Sequence, residues 1–182
     1  MPASFKHTVP TAGMGQETEA QCWFASYKML LKFHGRNTDE VKDKLNASLG
    51  MVRTDAGPKL SGWDDAMANG LTDTDYKKCA DALGLQGWPG REFNQEPSWY
   101  DVGLSDGAEN FLSKLQAGPL WVSRRSGSIN HIVLVTGYND DLEVVTFNNP
   151  FHNKKDAIEQ TRNVNKFVRL ITGAACSVQT KK

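Results

Sequence analysis

Cys22 heads the run Gln21-Cys22-Trp23-Phe24-Ala25-Ser26, which opens the most hydrophobic helical stretch of the chain. A thiol at a helix start can serve as a nucleophile. Unpaired N–H groups and the helix dipole favour the thiolate there, drawing the pKa from about 8.5 into a range of about 3.5 to 7.5. Most cysteines are instead small buried hydrophobes. Cys79, mid-helix on an apolar face, and Cys176, in a polar tail without a structured partner, read that way. Gln16, six residues upstream of Cys22, gives that thiol a companion. Its amide can donate to an oxyanion on an attacked carbonyl, with the Cys22 backbone N–H as second donor. Gly13 and Gly15 permit the tight loop that such convergence needs.

A base is needed next, and four histidines are available. His7 lies near a terminus, His34 at the far end of the cysteine helix, and His152 in a turn after Pro150. His131 opens the buried-strand run Ile132-Val133-Leu134-Val135-Thr136-Gly137-Tyr138 and follows the flexible Ser126-Gly127-Ser128. Held at a strand end, it can take the Cys22 proton and later return it to a leaving amine. Its second nitrogen needs an orienting partner. The next strand ends Phe147-Asn148-Asn149-Pro150, and a hairpin returns that end toward His131. Side chains alternate along a strand, so only one of Asn148 and Asn149 can face the imidazole.

The elements that must position these residues follow from periodicity. Apolar residues at three- and four-residue steps predict a buried helix from Ala20 to about His34, stopped by Gly35. Thr38 or Asn37 can cap a second helix through Val41, Leu45 and Leu49. Further helices are expected near Ser61 to Asn69 and Asp73 to Leu83. Gln86 to Gly107 reads as a long loop pinned by Trp88, Phe93, Trp99 and Tyr100. Asp106 with Glu109 resembles a capping box for a helix ending at Gly118-Pro119. Strands are expected over Leu120 to Arg124, His131 to Tyr138, Leu142 to Phe147 and Lys166 to Thr172, with Asn139-Asp140-Asp141 turning a hairpin. Helices first and strands later make an α+β fold. We expect one domain over 1–182, with a helical lobe at 1–117 and a β lobe at 118–174.

Composition excludes several classes. The 182 residues carry 21 basic and 21 acidic side chains, so no broad field of either sign exists to attract nucleic acid. No run of about 18 apolar residues spans a bilayer, and MPASFKHTVP lacks the apolar stretch of a Sec signal. Three widely spaced cysteines form no disulfide framework and fit a reducing compartment. The proposed chemistry requires no metal or other cofactor.

Gln16, five intervening residues, Cys22-Trp23, then His131 and Asn149 resemble the pattern of papain-like cysteine peptidases (clan CA). Gly118-Pro119-Leu120-Trp121-Val122, Asn130-His131-Ile132-Val133-Leu134-Val135-Thr136-Gly137-Tyr138 and Asn149-Pro150 are closer to two compact bacterial groups, the bacteriocin-processing C39 peptidases and the C70 effector proteases. Both groups carry the orienting Asp or Asn just before a proline, so the resemblance selects Asn149. It covers residues 13–35 and 118–150. Papain has a propeptide, disulfides and the run Gly-Ser-Cys-Gly-Ser-Cys-Trp, whereas Gln21 precedes the cysteine here and no pro-segment is evident. The resemblance implies a peptidase acting on a protein or peptide after small residues such as Gly-Gly. Family habit also implies an effector or toxin, cytoplasmic in its producer, delivered by a specialised secretion system into a target cell and restrained by an immunity protein. The same triad would also suit an amidase, a deamidase, an acyltransferase or a peptidoglycan hydrolase. A non-catalytic binding module on the same scaffold is the reading from another class. Trp23, Trp88 and Trp99 are expected to line the substrate cleft.

Overall fold

The computed structural model describes residues 3–52, 60–94, 103–151 and 155–182. In chain order the elements are β1 (Phe5–Lys6), α1 (Cys22–Phe33), α2 (Glu40–Leu49), β2 (Met51–Val52), β3 (Leu60–Ser61), α3 (Gly62–Asn69) and α4 (Asp75–Leu83). Then come β4 (Leu85–Trp88), α5 (Asp106–Ala117), β5 (Leu120–Ser126), β6 (Ile129–Asn139), β7 (Val144–Asn149), β8 (Ile158–Asn163), α6 (Val164–Val168) and β9 (Val178–Lys181). Short 3-10 turns cover Glu19–Gln21 and Gly90–Glu92. The fold is α+β. Among the described residues no helix is long and apolar enough to cross a membrane.

Among the described residues, seven strands form one antiparallel sheet in the order β4-β9-β5-β6-β7-β8, with β1 pairing onto β6 at Tyr138 and Gly137. Strand alternation divides the core in two. Trp121, Ile132 and Leu134 face the cluster built by α1 to α4. Leu120, Val122, Val133, Val135 and Phe147 face the other cluster, which contains the apolar sides of α5 and α6. The sheet is therefore covered on both faces, and its central strands are buried over Leu120–Arg124 and Ile132–Tyr138.

Three helices, α3, α5 and α6, start at a side-chain cap, whereas the residues before α1, α2 and α4 make no such bond. Ser61 caps α3 by accepting from the Asp64 amide at 3.0 Å, and Ser105 caps α5 by accepting from Ala108 at 3.2 Å. The α5 cap is thus one residue upstream of the expected Asp106. Asn163 caps α6 through the Lys166 amide at 3.1 Å. Here the expected strand at Lys166 to Thr172 is wrong: Val164, Phe167 and Val168 are buried at helical spacing behind that cap. Only Ile171 keeps a strand-like bridge, to Arg124.

The expected loop from Gln86 also needs correction, because it begins with β4 and a 3-10 turn. Gly90 makes that route possible, since a Cβ there would meet the Thr172 carbonyl oxygen at 1.7 Å. Cys176 belongs to a structured segment and packs beside Gly87, just ahead of β9. β8 and β9 were not expected: β8 is a largely exposed edge strand, and β9 is short.

A buried polar network ties α1 and α4 to β9. Tyr27 donates to Gln179 Oε1 at 2.9 Å, and Gln179 Nε2 donates to the carbonyls of Tyr76 and Cys176 at 3.2 and 2.9 Å. Trp121 stacks on Tyr27 with 4.9 Å between ring centroids and donates from Nε1 to the Trp23 carbonyl at 3.3 Å. These contacts hold α1, which begins at Cys22, against the sheet.

Candidate active site

α1 begins at Cys22 itself, after the 3-10 turn at Glu19–Gln21. The thiol is 5% exposed and lies at the wall of a cavity of about 680 Å³, shared with Ala20, Asn69, Tyr76, Asn130 and Ile132. The backbone N–H groups of Ile132, Trp23 and Cys22 act on the thiol in the direction that favours its thiolate. Ile132, which lines that cavity, is the residue after His131; alternation along β6 turns His131 to the other side, and among the described residues no hydrogen bond joins it to Cys22.

The His131 ring Nε2 lies 2.7 Å from Asn149 Oδ1. An amide oxygen only accepts, so Nε2 carries the proton in the neutral ring and Nδ1 keeps the lone pair. β6 and β7 supply the two residues. The strands pair Leu134 with Asn148, and a register shift between Val135 and Gly137 marks a bulge farther along. Asn148 points to the other face, where its Oδ1 is buried without a partner. Asn149 is itself held: its Nδ2 donates to Gln160 Oε1 on β8 at 3.3 Å. Gln160 was missed because β8 has no apolar alternation by which to recognise it.

Gln16 is 4% exposed and precedes the thiol on the same tight entry to α1. Gly13, at φ +71, turns the loop, and its amide donates to Asp156 Oδ1 at 2.7 Å. Gln16 Nε2 spends one N–H on the Thr18 carbonyl at 2.8 Å, leaving the second free to donate. Its Oε1 is buried and unpaired. Alanine at Gln16 is expected to cut kcat by roughly a hundredfold to a thousandfold with a smaller change in KM, the signature of a lost oxyanion donor. Steady-state kinetics on any cleaved peptide measures this.

Electrostatics depart from expectation. The helix start was expected to lower the Cys22 pKa, yet burial pushes it up to about 11, and the three backbone amides only partly offset this. Burial also lowers the His131 pKa, as does the nearby positive charge of Arg124, while the Asn149 bond acts the other way. Near neutral pH the free protein thus holds a neutral thiol and a neutral imidazole. Alkylation of Cys22 by iodoacetamide should rise about tenfold per pH unit from pH 7 to 10, following the thiolate fraction. A rate plateau between about pH 5 and 8 would reveal a thiolate–imidazolium pair and contradict this.

The tryptophans have different roles. Trp23 is fully buried and donates to the Ala66 carbonyl at 3.1 Å, so it forms the floor of the cavity and not an exposed wall. Trp88 lies on β4, with the Lys114 ammonium 5.4 Å from its ring centroid, and does not join Cys22 in the cavity. Trp99 lies outside the described residues. Arg124 opposes His131 directly across β5 and β6. Among the described residues no group of three or more His, Cys, Asp and Glu is placed to hold a metal ion.

A thiol at a helix start, an imidazole with its proton directed at an amide oxygen and an amide donor are the groups that acyl transfer through a thioester uses; here Gln16 lines a separate cavity with Gln21, Phe24 and Lys28, while Cys22 lines the larger one. The family model described as papain-like cysteine protease AvrRpt2 matches residues 3–170 of the chain. No curated protein matches it.

Proposed function

The chain belongs to the AvrRpt2 family of papain-like cysteine proteases, and from that premise we propose a mechanism in which Cys22 is the nucleophile, His131 its base and Asn149 the residue that orients His131. The observation that carries this reading is the 2.7 Å contact between His131 Nε2 and Asn149 Oδ1, with Ile132, the next residue, on the wall of the cavity that contains Cys22. His131 Nδ1 takes the thiol proton as sulfur attacks the scissile carbonyl carbon. The second Gln16 N–H and the Cys22 amide stabilise the oxyanion. When the tetrahedral species collapses, the C–N bond breaks and the imidazolium protonates the leaving amine. Water, deprotonated by the same imidazole, then hydrolyses the thioester and restores the thiol.

The target is a protein, cut after small residues such as Gly-Gly. The setting is that of an effector or toxin, delivered by a specialised system into another cell and restrained in its producer by an immunity protein. Family habit supports this setting. The test treats a cell lysate with wild-type and Cys22→Ala protein and compares the new protein N-termini. Termini found only with wild type, clustered by sequence, support the reading. Ammonia release or muropeptide cleavage without new termini would instead favour an amidase or a wall hydrolase, and the absence of all three products would revive the non-catalytic module.

A further inference from the structure

Arg124 is a buried cation with no counter-charge among the described residues. Its side chain sits at 6% exposure, and its Nε has no hydrogen-bond partner. Among the described residues it enters no ion pair. The ring of Phe147, centred 5.3 Å from the guanidinium carbon, packs against it. Arg162 adds a second positive charge nearby, which together with burial lowers the Arg124 pKa. A guanidinium offers five N–H donors in a fork that matches a carboxylate, and it does not lose its charge. Buried charges in folded proteins are paired or hold a ligand.

The position indicates which ligand. Arg124 and His131 are directly opposed across an antiparallel pair, so their side chains share one face of the sheet. Asn130 and Ile132, of the opposite alternation, line the cavity that contains Cys22. His131 therefore shares the Arg124 side of the strand pair, while its two neighbours face the cavity. In the proposed mechanism His131 protonates the leaving amine, so the leaving segment passes on its side.

We propose that Arg124 is a carboxylate-binding subsite for the leaving-group side of the substrate. Its ligand is an acidic side chain, or a free C-terminal carboxylate, within about three residues of the scissile bond, at about 3.3 Å per extended residue. The direction of the subsite rests on the mechanism above. The anion site itself does not.

Two measurements separate these layers. Full-length nitrogen-labelled Cys22→Ala protein is titrated with N-acetylglutamate amide, with N-acetylglycine and with the neutral N-acetylglutamine amide. The Arg124 Nε–H signal, assigned by its loss in Arg124→Met, is followed by NMR. A saturable shift with a carboxylate and none with the neutral compound is expected, and no shift with either carboxylate overturns the subsite. Wild-type protein is then given peptides varied after the scissile bond, with free or amidated C-termini. Acidic peptides should exceed neutral ones in kcat/KM by about tenfold or more. That ratio should fall toward one in Arg124→Met and persist in part in Arg124→Lys. Preference that survives amidation assigns the ligand to a side chain, and preference lost on amidation assigns it to the terminus. Cleavage without acid preference, or an Arg124→Met variant that slows all peptides alike, makes the guanidinium a packing element over Phe147 and overturns the inference. A saturable NMR shift with no cleavage of any peptide supports the anion site and counts against the mechanism.

Discussion

Alanine at His131 is expected to lower kcat/KM about ten-thousandfold or more while the protein stays folded. The imidazole holds Asn149 on one nitrogen; in the proposed mechanism the other serves the thiol, so its removal takes away the base, the later acid and the group Asn149 positions. Residual turnover would come from binding and the oxyanion donors. His131 is only partly exposed but contributes no aliphatic surface to either core cluster, so the far-ultraviolet circular dichroism and the thermal midpoint should change little. Cys22→Ala should be equally inactive, and the double variant should lose no more than either single change, because the two act as a unit. Activity within tenfold of wild type in His131→Ala would remove His131 from the mechanism.

Trp121→Ala is expected to cost about 3 to 5 kcal/mol of stability, a large share of the roughly 5 to 15 kcal/mol typical of a domain. The indole is fully buried between α1 and α4. It lies parallel to Tyr27 at 13° and meets Tyr76 edge-on with 5.3 Å between centroids. Its removal leaves a cavity between the sheet and the helix that starts at Cys22, and frees the Trp23 carbonyl from its donor. Urea unfolding followed by tryptophan fluorescence and circular dichroism gives the change in midpoint. A loss below about 1 kcal/mol would mean that neighbouring side chains collapse into the space.

Much of the arrangement was legible in the sequence for reasons that can be named. α1, α2, α3 and α4 carry apolar residues at helical spacing and end at Gly or His-Gly, so periodicity alone located them. β5, β6 and β7 are central, buried strands rich in Val, Ile and Phe, and the Asn-Asp-Asp turn joined the last two. Asn148 and Asn149 could not be separated by alternation alone, because the parity of a strand end depends on register, which pairing with β6 and its bulge determines. β8 and β9 were invisible for a related reason. Ile158–Asn163 is mostly polar and solvent-facing, and Val178–Lys181 is four residues long; both are strands only because a neighbour pairs with them. The Cys22 pKa was misjudged because a helix start is visible in sequence, whereas the depth at which it is buried is not.

The place of β9 bears on the order in which the site is made. This last described strand inserts between β4 and β5, far earlier in the chain, and its Gln179 anchors Tyr27 of α1. A chain emerging during synthesis can form its local helices early, but the sheet stays split until residues 178–181 arrive. α1 is then packed on the sheet without its Gln179 anchor. That buried polar tie between an early helix and a late strand closes only after the strands that carry His131 and Asn149 have been made.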